Sequence, residues 1–553
     1  MTAPENIFDD PVALEIIWER CISIVDEAAD TLVRAAFSTV ARESNDYGCV
    51  LCDADGVGIG YTTKGTPHMG IILPRTIRAI LEKIPVGELQ PGDVLFTNDP
   101  WYGSGHLPDF YVTAPVFRDG RVVGFAGACS HVADIGGTAA PDAREVYEEG
   151  ICFPPVKLFR AGKPDDVIFS ILRKNVRVQE QVIGDLNALI ASCHTSASEL
   201  VKLMDETGMD DLRPLSHTLN ARTEQVFRAA IAEIPDGTYR SSIESDGFKS
   251  PISLQCAITV KGSDITVDCS GCSPQVSPGG INVVYNFTYS AFIYALKCIL
   301  DPHTPYNEGI TRPVSVHVPE GTILNPRFPA PVFARNQTAH YLPAVIMEAL
   351  SKAIPQRVMA ACGSPTNRTV FTGPKGHDGR PFSFMMISSG GMGASAGKDG
   401  YSCTPYPSNS GSPPVEVVES VVPLTIRRKA LRPDSGGAGE FRGGLGIELV
   451  VENSSGQTMQ VSSRMDRVTH PPAGLAGGRE GGSAAIWRDD KQPFPPKGRG
   501  EIAAGQYLVI QSPGGGGFGE PAQRDPKKLD DDVREGYVST QSAHEIYQQR
   551  RDR

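Results

Sequence analysis

At 553 residues, with 52 Lys and Arg against 64 Asp and Glu (net charge −12), the chain has length for three to four domains. Its charge gives no general attraction for nucleic acid or an anionic membrane. Apolar residues make up 40% and charged residues 21%, which excludes disordered and collagen-like classes. Glycine and proline, 58 and 44 residues, reach about 18% of the chain against roughly 12% in ordinary proteins, so an all-helical bundle is excluded too.

The first residues, Met1-Thr-Ala-Pro-Glu-Asn6, show neither a basic nor an apolar signal region. The twelve cysteines are spread without a dense framework, as suits reduced thiols, so a cytoplasmic location is expected. Residues 10–38 read as a long helix: Asp10 is an N-cap, Pro11 suits the first turn, and Ile17, Ile24, Ala28, Leu32 and Ala35 recur at helical spacing. A hairpin follows, Tyr47 to Cys52 and Val57 to Tyr61, turning at Asp53-Ala-Asp-Gly56. The pattern predicts a helix near 72–84, a strand over Asp93–Thr97, and a second hairpin from Asp109 to Phe117 and Arg121 to His131. Residues 165–235 read as mostly helical. From 237 to 330 short strands, such as Ile252–Val260 and Ile265–Asp268, are interrupted by a helix within Ile281–Ile299. Its Asn282, Asn286, Thr288, Ser290 and Lys297 make it a buried helix and not a membrane span. Another helix is expected over 338–356. Beyond 410, strands alternate with glycine-rich turns as far as Tyr507–Gln511 and Gly514–Gly517, and the basic end Arg550-Arg-Asp-Arg553 reads as solvated. The fold class is α+β: a mixed, multi-subdomain chain with an N-terminal helix, metal-bearing hairpins and a β-rich, Gly-rich C-terminal part. The expected regions are a catalytic 1–235, a mixed α/β 236–410, and a β-rich 411–553 with a short helical tail.

The second hairpin carries the chemistry. A tight turn at Asp119-Gly120 makes opposed positions sum to about 239 or 240, so Asp109 faces residue 130 or 131. His131 is then Asp109's neighbour, with His106 just beyond on the loop. Two imidazoles and a carboxylate are suitable ligands for a divalent transition metal. Asp46, ahead of the first hairpin, is a candidate fourth ligand, although spacing alone does not bring it there. A site on a loop is expected to contribute little to the core. His68, in Lys64-Gly-Thr-Pro-His-Met-Gly70, reads as a loop residue that lines a pocket or merely holds a turn.

Other patterns fail on context. Gly393-Ala-Ser395-Ala-Gly397 matches a nucleophile elbow, but no helix follows. Gly514, Gly516 and Gly519 have dinucleotide-loop spacing, but Pro521 follows in place of a helix. No Walker-type phosphate loop occurs. Cys269-Ser-Gly-Cys272 is a lone pair that Cys256 and Cys298 would have to complete as a zinc site.

At these residues the chain resembles the hydantoinase B family, which includes subunits or domains of ATP-dependent N-methylhydantoinase, 5-oxoprolinase and caprolactamase, with relatives in acetone and acetophenone carboxylases. The matching blocks are Ala41-Arg-Glu-Ser-Asn-Asp-Tyr-Gly48, Gly105-His-Leu-Pro-Asp109, His131-Val-Ala-Asp-Ile-Gly-Gly137, Glu149-Gly-Ile-Cys-Phe-Pro-Pro155, Gly436–Gly446 and Pro513–Gly519. The resemblance implies a divalent metal (Mn, Zn, Fe or Co) on Asp46, His106, Asp109 and His131. It makes Asp134 a supporting or acid/base residue and His68 a substrate-pocket residue. It also implies ATP and Mg in a hydantoinase A-type ATPase partner, a small cyclic amide substrate, and a hetero-oligomer without nucleic acid or membrane. The expected function is the metal-dependent subunit of an ATP-dependent cyclic amide hydrolase. Two rivals are a ketone carboxylase of the acetone type and a scaffold without chemistry of its own.

Overall fold

The computed structural model describes residues 10–138, 142–409 and 411–547. The segment Met1–Asn6 and the basic end at 550–553 lie outside them. Its centre is a seven-stranded antiparallel sheet of β1 (Tyr47–Asp53), β2 (Gly58–Tyr61), β3 (Val94–Thr97), β4 (Asp109–Arg118), β5 (Arg121–His131), β6 (Val156–Arg160) and β7 (Lys163–Pro164). The strand order is β2-β1-β5-β4-β3-β6-β7. Every residue of β1 and the first eight of β4 are buried, so both faces of the sheet are covered. Cys49 Sγ lies 3.5 Å from Ser192 Oγ on the helix Gln179–Thr207. Its neighbour Gly48 abuts Met69 and Gly70 on the helix Pro67–Leu81. Successive strand residues point to opposite faces, so these two helices sandwich the sheet. The N-terminal helix Pro11–Ala35, capped by Asp10, packs on Gln179–Thr207, and Trp18 Nε1 donates to Ile59 O at 3.1 Å.

The predicted helix over 72–84 starts at Pro67, capped at Thr66, and ends at Leu81. Gly70 and Pro74 mask its onset, because both are poor helix formers and break the apparent pattern. His68 therefore stands in the first helical turn and not in a loop. The predicted 338–356 helix is divided into Asn336–Ala339, Leu342–Leu350 and a 3-10 turn at Pro355–Arg357. Pro343 sits where a new helix begins, which is where proline is tolerated.

A second sheet orders the strands Val314–His317, Asp264–Asp268, Ile252–Lys261 and Gly237–Ser245, with the buried helix Tyr285–Leu300 lying in sequence between the parallel strands Asp264–Asp268 and Val314–His317. Two more four-stranded sheets form the C-terminal layers. One pairs Asn367–Gly373 with Met459–Arg464, so it draws strands from both sides of residue 410. Between the layers runs Gly514–Gly517, whose N–H groups donate to the carbonyls of Gly482, Gly444, Ala361 and Arg479 at 3.1, 2.9, 2.8 and 2.9 Å. A Cβ on Gly515 would lie 2.1 Å from Met392 O, so only glycine fits. Donors spent in this way cannot cradle a phosphate, although a 3-10 turn at Pro521–Gln523 and the helix Pro526–Arg534 do follow, against the expectation that no helix comes after these glycines.

A Cβ at Gly48 would meet Gly70 N at 2.9 Å and Met69 Cβ at 3.0 Å. Gly48→Ala is expected to destabilise the protein by about 1–3 kcal/mol, as overpacking does. Urea unfolding checks this, and an unchanged midpoint would show that the helix carrying His68 moves aside freely.

Candidate metal centre

The β4–β5 hairpin places two of the site residues by register. Arg118 faces Arg121 at the turn; an irregularity between Val116 and Phe117 then shifts the pairing so that Asp109 faces His131. Of the two partners the sequence leaves open for Asp109, this is residue 131. His106 arrives by a tight turn in which Asp109 N donates to His106 O at 3.3 Å. His106 Nδ1 lies 2.9 Å from Asp109 Oδ2, and His131 Nδ1 lies 3.2 Å from Asp109 Oδ1. The ligand atoms of the three all fall within 4.8 Å of one another, and among the described residues no other group of three His, Cys, Asp or Glu side chains does so. Cys256, Cys269, Cys272 and Cys298 therefore form no such cluster, and Cys298 is exposed.

Asp109 has no exposed surface. Burial alone would raise its pKa, but the Arg335 guanidinium, together with the contacts from the His106 and His131 rings, holds its carboxyl well below the usual carboxylate range. Arg335 Nη2 donates to Asp109 Oδ2 at 2.7 Å, and Ser104 Oγ donates to the same oxygen. His106 is lowered to about 3 by burial and by Arg335, so it is neutral, as a metal-binding imidazole must be. Its Nδ1 is buried and faces the carboxylate without an aligned hydrogen bond. A buried nitrogen lone pair, a second imidazole and an ionised carboxylate form a donor set that fits a divalent transition metal.

The other residues expected here divide. Asp46 continues the β1–β5 register, in which Tyr47 faces Ser130; His131 N and Ser130 Oγ both donate to Asp46 O at 3.1 Å. Its carboxylate accepts from Thr66 Oγ1 at 3.1 Å and lies outside the 4.8 Å cluster, although Asp46 and His106 line one small cavity of ≈20 Å³. His68 lines that same cavity, packed against Phe287 and Tyr294 with both ring nitrogens unpartnered. Burial, then Arg335, lowers its pKa to about 3. Asp134 borders the larger cavity beside His131 but its carboxylate is already engaged: Arg177 Nη1 donates to its Oδ1 at 2.6 Å, and Gly136 N donates there at 3.3 Å. It thereby anchors the loop that follows His131.

Sequence reasoning missed the residues supplied from outside the hairpins. A cavity of ≈140 Å³ is bounded by His106, His131, Asp134, Phe333, Arg368 and Arg464. Arg335 reaches Asp109 because Glu149 Oε1 accepts from Val332 N and Phe333 N at 2.7 and 2.9 Å, pinning the segment ahead of it. The one local signal is an arginine set at the end of the apolar run Pro331-Val-Phe-Ala334.

His106→Ala is expected to empty the metal content found by elemental analysis while leaving stability nearly unchanged. Asp109→Ala is expected to lose metal and also about 3–5 kcal/mol of stability, because it strands Arg335 in the interior. This corrects the expectation that the site contributes little to the core. Full metal content in both variants would remove the assignment. Burial pushes Glu149 up to about 7, with the Phe333 and Val332 amides offsetting only part of the shift. A raised acid contributes stability that is fully present below its unfolded pKa near 4.5 and is lost as pH rises through 7. Stability measured from pH 4 to 8 should therefore carry a downward component of roughly 3 kcal/mol that Glu149→Gln removes. Identical pH profiles in the two proteins would assign that component elsewhere.

The hydantoinase B/oxoprolinase family model matches residues 10–521. A protein of Pseudomonas sp. (strain NS671) named as a D-/L-hydantoinase subunit is 31% identical, over 97% of this chain and 94% of its own length. The caprolactamase subunit beta of Pseudomonas jessenii is 30% identical, over 97% and 96%. Among solved structures, the ATP-dependent caprolactamase from Pseudomonas jessenii superposes with a TM-score of 0.88 at 28% identity, covering 98% of this chain and 96% of that one. A nucleotide-free acetone carboxylase reaches a TM-score of 0.86 at 19% identity, covering 97% and 79%, which is a likeness of fold. With a family match over nearly its whole length, the chain belongs to the hydantoinase B/oxoprolinase family.

Proposed function

We propose that this chain is the metal-dependent catalytic subunit of an ATP-dependent cyclic amide hydrolase that opens hydantoin, 5-oxoproline or lactam rings together with a hydantoinase A-type ATPase subunit. The observation that carries this reading is the buried His106–Asp109–His131 cluster, in a chain whose relatives are named hydantoinase and caprolactamase. His106, His131 and Asp109 hold the ion (Mn, Zn, Fe or Co), with Asp46, just ahead of β1 and beside His131, as the fourth ligand. When bound, such an ion supplies Lewis-acid polarisation of a carbonyl and acidification of a water. Arg335 and Ser104 keep Asp109 ionised and oriented. Asp134 positions the loop of His131, and His68, neutral and unpartnered, offers a hydrogen bond within the pocket.

A ring amide is resonance-stabilised, so its carbonyl carbon is a poor electrophile, and an unstrained ring gains little on opening. ATP in the partner, with Mg, activates the amide oxygen. Among the described residues the glycine-rich Gly514–Gly517 segment has spent its N–H groups on carbonyls, so it is no nucleotide loop. A reactive phosphorylated intermediate must be kept from bulk water, which calls for a stable hetero-oligomer.

The test is purification of the chain alone and with its ATPase partner, assayed on hydantoins, 5-oxoproline and lactams with and without ATP. Ring opening is expected only with both chains and ATP. ATP-dependent opening by the lone chain would contradict the division of labour, and carbon fixation onto a ketone from bicarbonate would replace hydrolysis by the carboxylase reading.

A further inference from the structure

The strand Asn367–Gly373 runs antiparallel to Met459–Arg464 with Arg368 directly opposite Arg464. Opposed residues share a face of the sheet, and like charges set there repel. Each arginine is only 6% exposed, and both face the ≈140 Å³ cavity that His106 and His131 also line. Neither forms an ion pair with a described residue, and the Nε of each is buried without a hydrogen-bond partner. Arg464 lies over the Phe333 ring, 4.7 Å from its centroid, which fixes its plane but supplies no negative charge. Arg335 adds a third buried guanidinium: it lines the ≈20 Å³ cavity together with Arg368 and His106, and its Nη1 is also unpartnered.

Buried charges are costly unless paired, and two facing each other on adjacent strands are costlier still. No packing purpose explains them, since apolar side chains would fill the same space without that cost. Guanidinium forks match the oxygens of a phosphate bidentately, and a pair of forks on opposed strands suits a multiply charged tetrahedral group better than a single carboxylate. We propose that Arg368 and Arg464, joined by Arg335, form an oxyanion site that takes the phosphoryl group of a phosphorylated substrate beside the His106–Asp109–His131 cluster. The inference rests on the reading of this chain as receiving an ATP-activated amide, and it names the charge by which that substrate is held.

The experiment is calorimetric titration of the metal-loaded full chain with inorganic phosphate, with bicarbonate and acetate as separate arms, and repetition after chelation. Phosphate is expected to bind one site and to be weakened roughly tenfold or more in both Arg368→Lys and Arg464→Lys, which keep the charge but lose the fork. Binding should persist after chelation. Arg464→Met should be no less stable than the parent in phosphate-free buffer, and phosphate should raise the parent's melting temperature but not the variant's. Undetectable phosphate binding at millimolar concentration, undiminished binding in both lysine variants, or complete loss on chelation would each overturn the site. Tighter binding of bicarbonate or acetate than of phosphate would overturn the phosphoryl assignment. These readouts need no turnover: a chain that binds phosphate as expected but opens no ring with its partner contradicts the hydrolase reading alone, whereas ring opening without phosphate binding contradicts this inference alone.

Discussion

A carboxylate without solvent must be surrounded by positive or donating groups, and Asp109 sets that condition for the whole site. It sits at the first position of β4, so its orientation is fixed by a hairpin whose register also delivers His131. His106 comes from the turn just before it. Arg335 comes from a segment more than two hundred residues later, held in place by Glu149 through the amides of Val332 and Phe333. One ionised group thereby ties the seven-stranded sheet to the segment ahead of Asn336–Ala339. Removal of Asp109 or Arg335 leaves the other's charge uncompensated in the interior, so for that pair geometry and stability are not separable properties.

The same region carries an unusual density of polar groups without partners. His68, His106, His340, Arg335, Arg368 and Arg464 all bury at least one unpaired nitrogen. Burial and then a neighbouring arginine lower His68, His106 and His340, so the imidazoles stay neutral beside charged guanidiniums. This division of charge is what a site needs if histidines are to offer lone pairs while arginines offer positive donors. Stability is sacrificed where local rules are broken, and the breakages gather around two adjoining cavities.

What the sequence makes legible follows from the range of each interaction. Asp119-Gly120 is a local turn signal, and it suffices to place Asp109 against His131 to within one residue; the irregularity that settles the choice leaves no mark in composition. The N-terminal helix is legible because its cap, first-turn proline and apolar spacing agree. The helix bearing His68 is obscured because Gly70 and Pro74 interrupt its pattern, although Pro67 itself marks the start. Asp46 reaches His131 through pairing of β1 with β5, two strands more than seventy residues apart, so no spacing rule could bring it there. Arg368 and Arg464 are invisible for the same reason: a lone arginine in a strand reads as surface until the opposing strand is known.

The glycine segment at 514–517 has a consequence for the order in which the molecule is assembled. It fills the donor needs of strands and turns around Ala361, Gly444, Arg479 and Gly482, all of which leave the ribosome earlier. Until residue 517 has been synthesised, those carbonyls face an empty slot that only a side-chain-free backbone can occupy. Long-range closures of this kind are slow, because loop entropy must be lost before the new bonds form. Until then the loops that carry these carbonyls lack the backbone that joins them. The position of the glycines in the chain makes closure of this region a step that cannot be completed until residue 517 has been made.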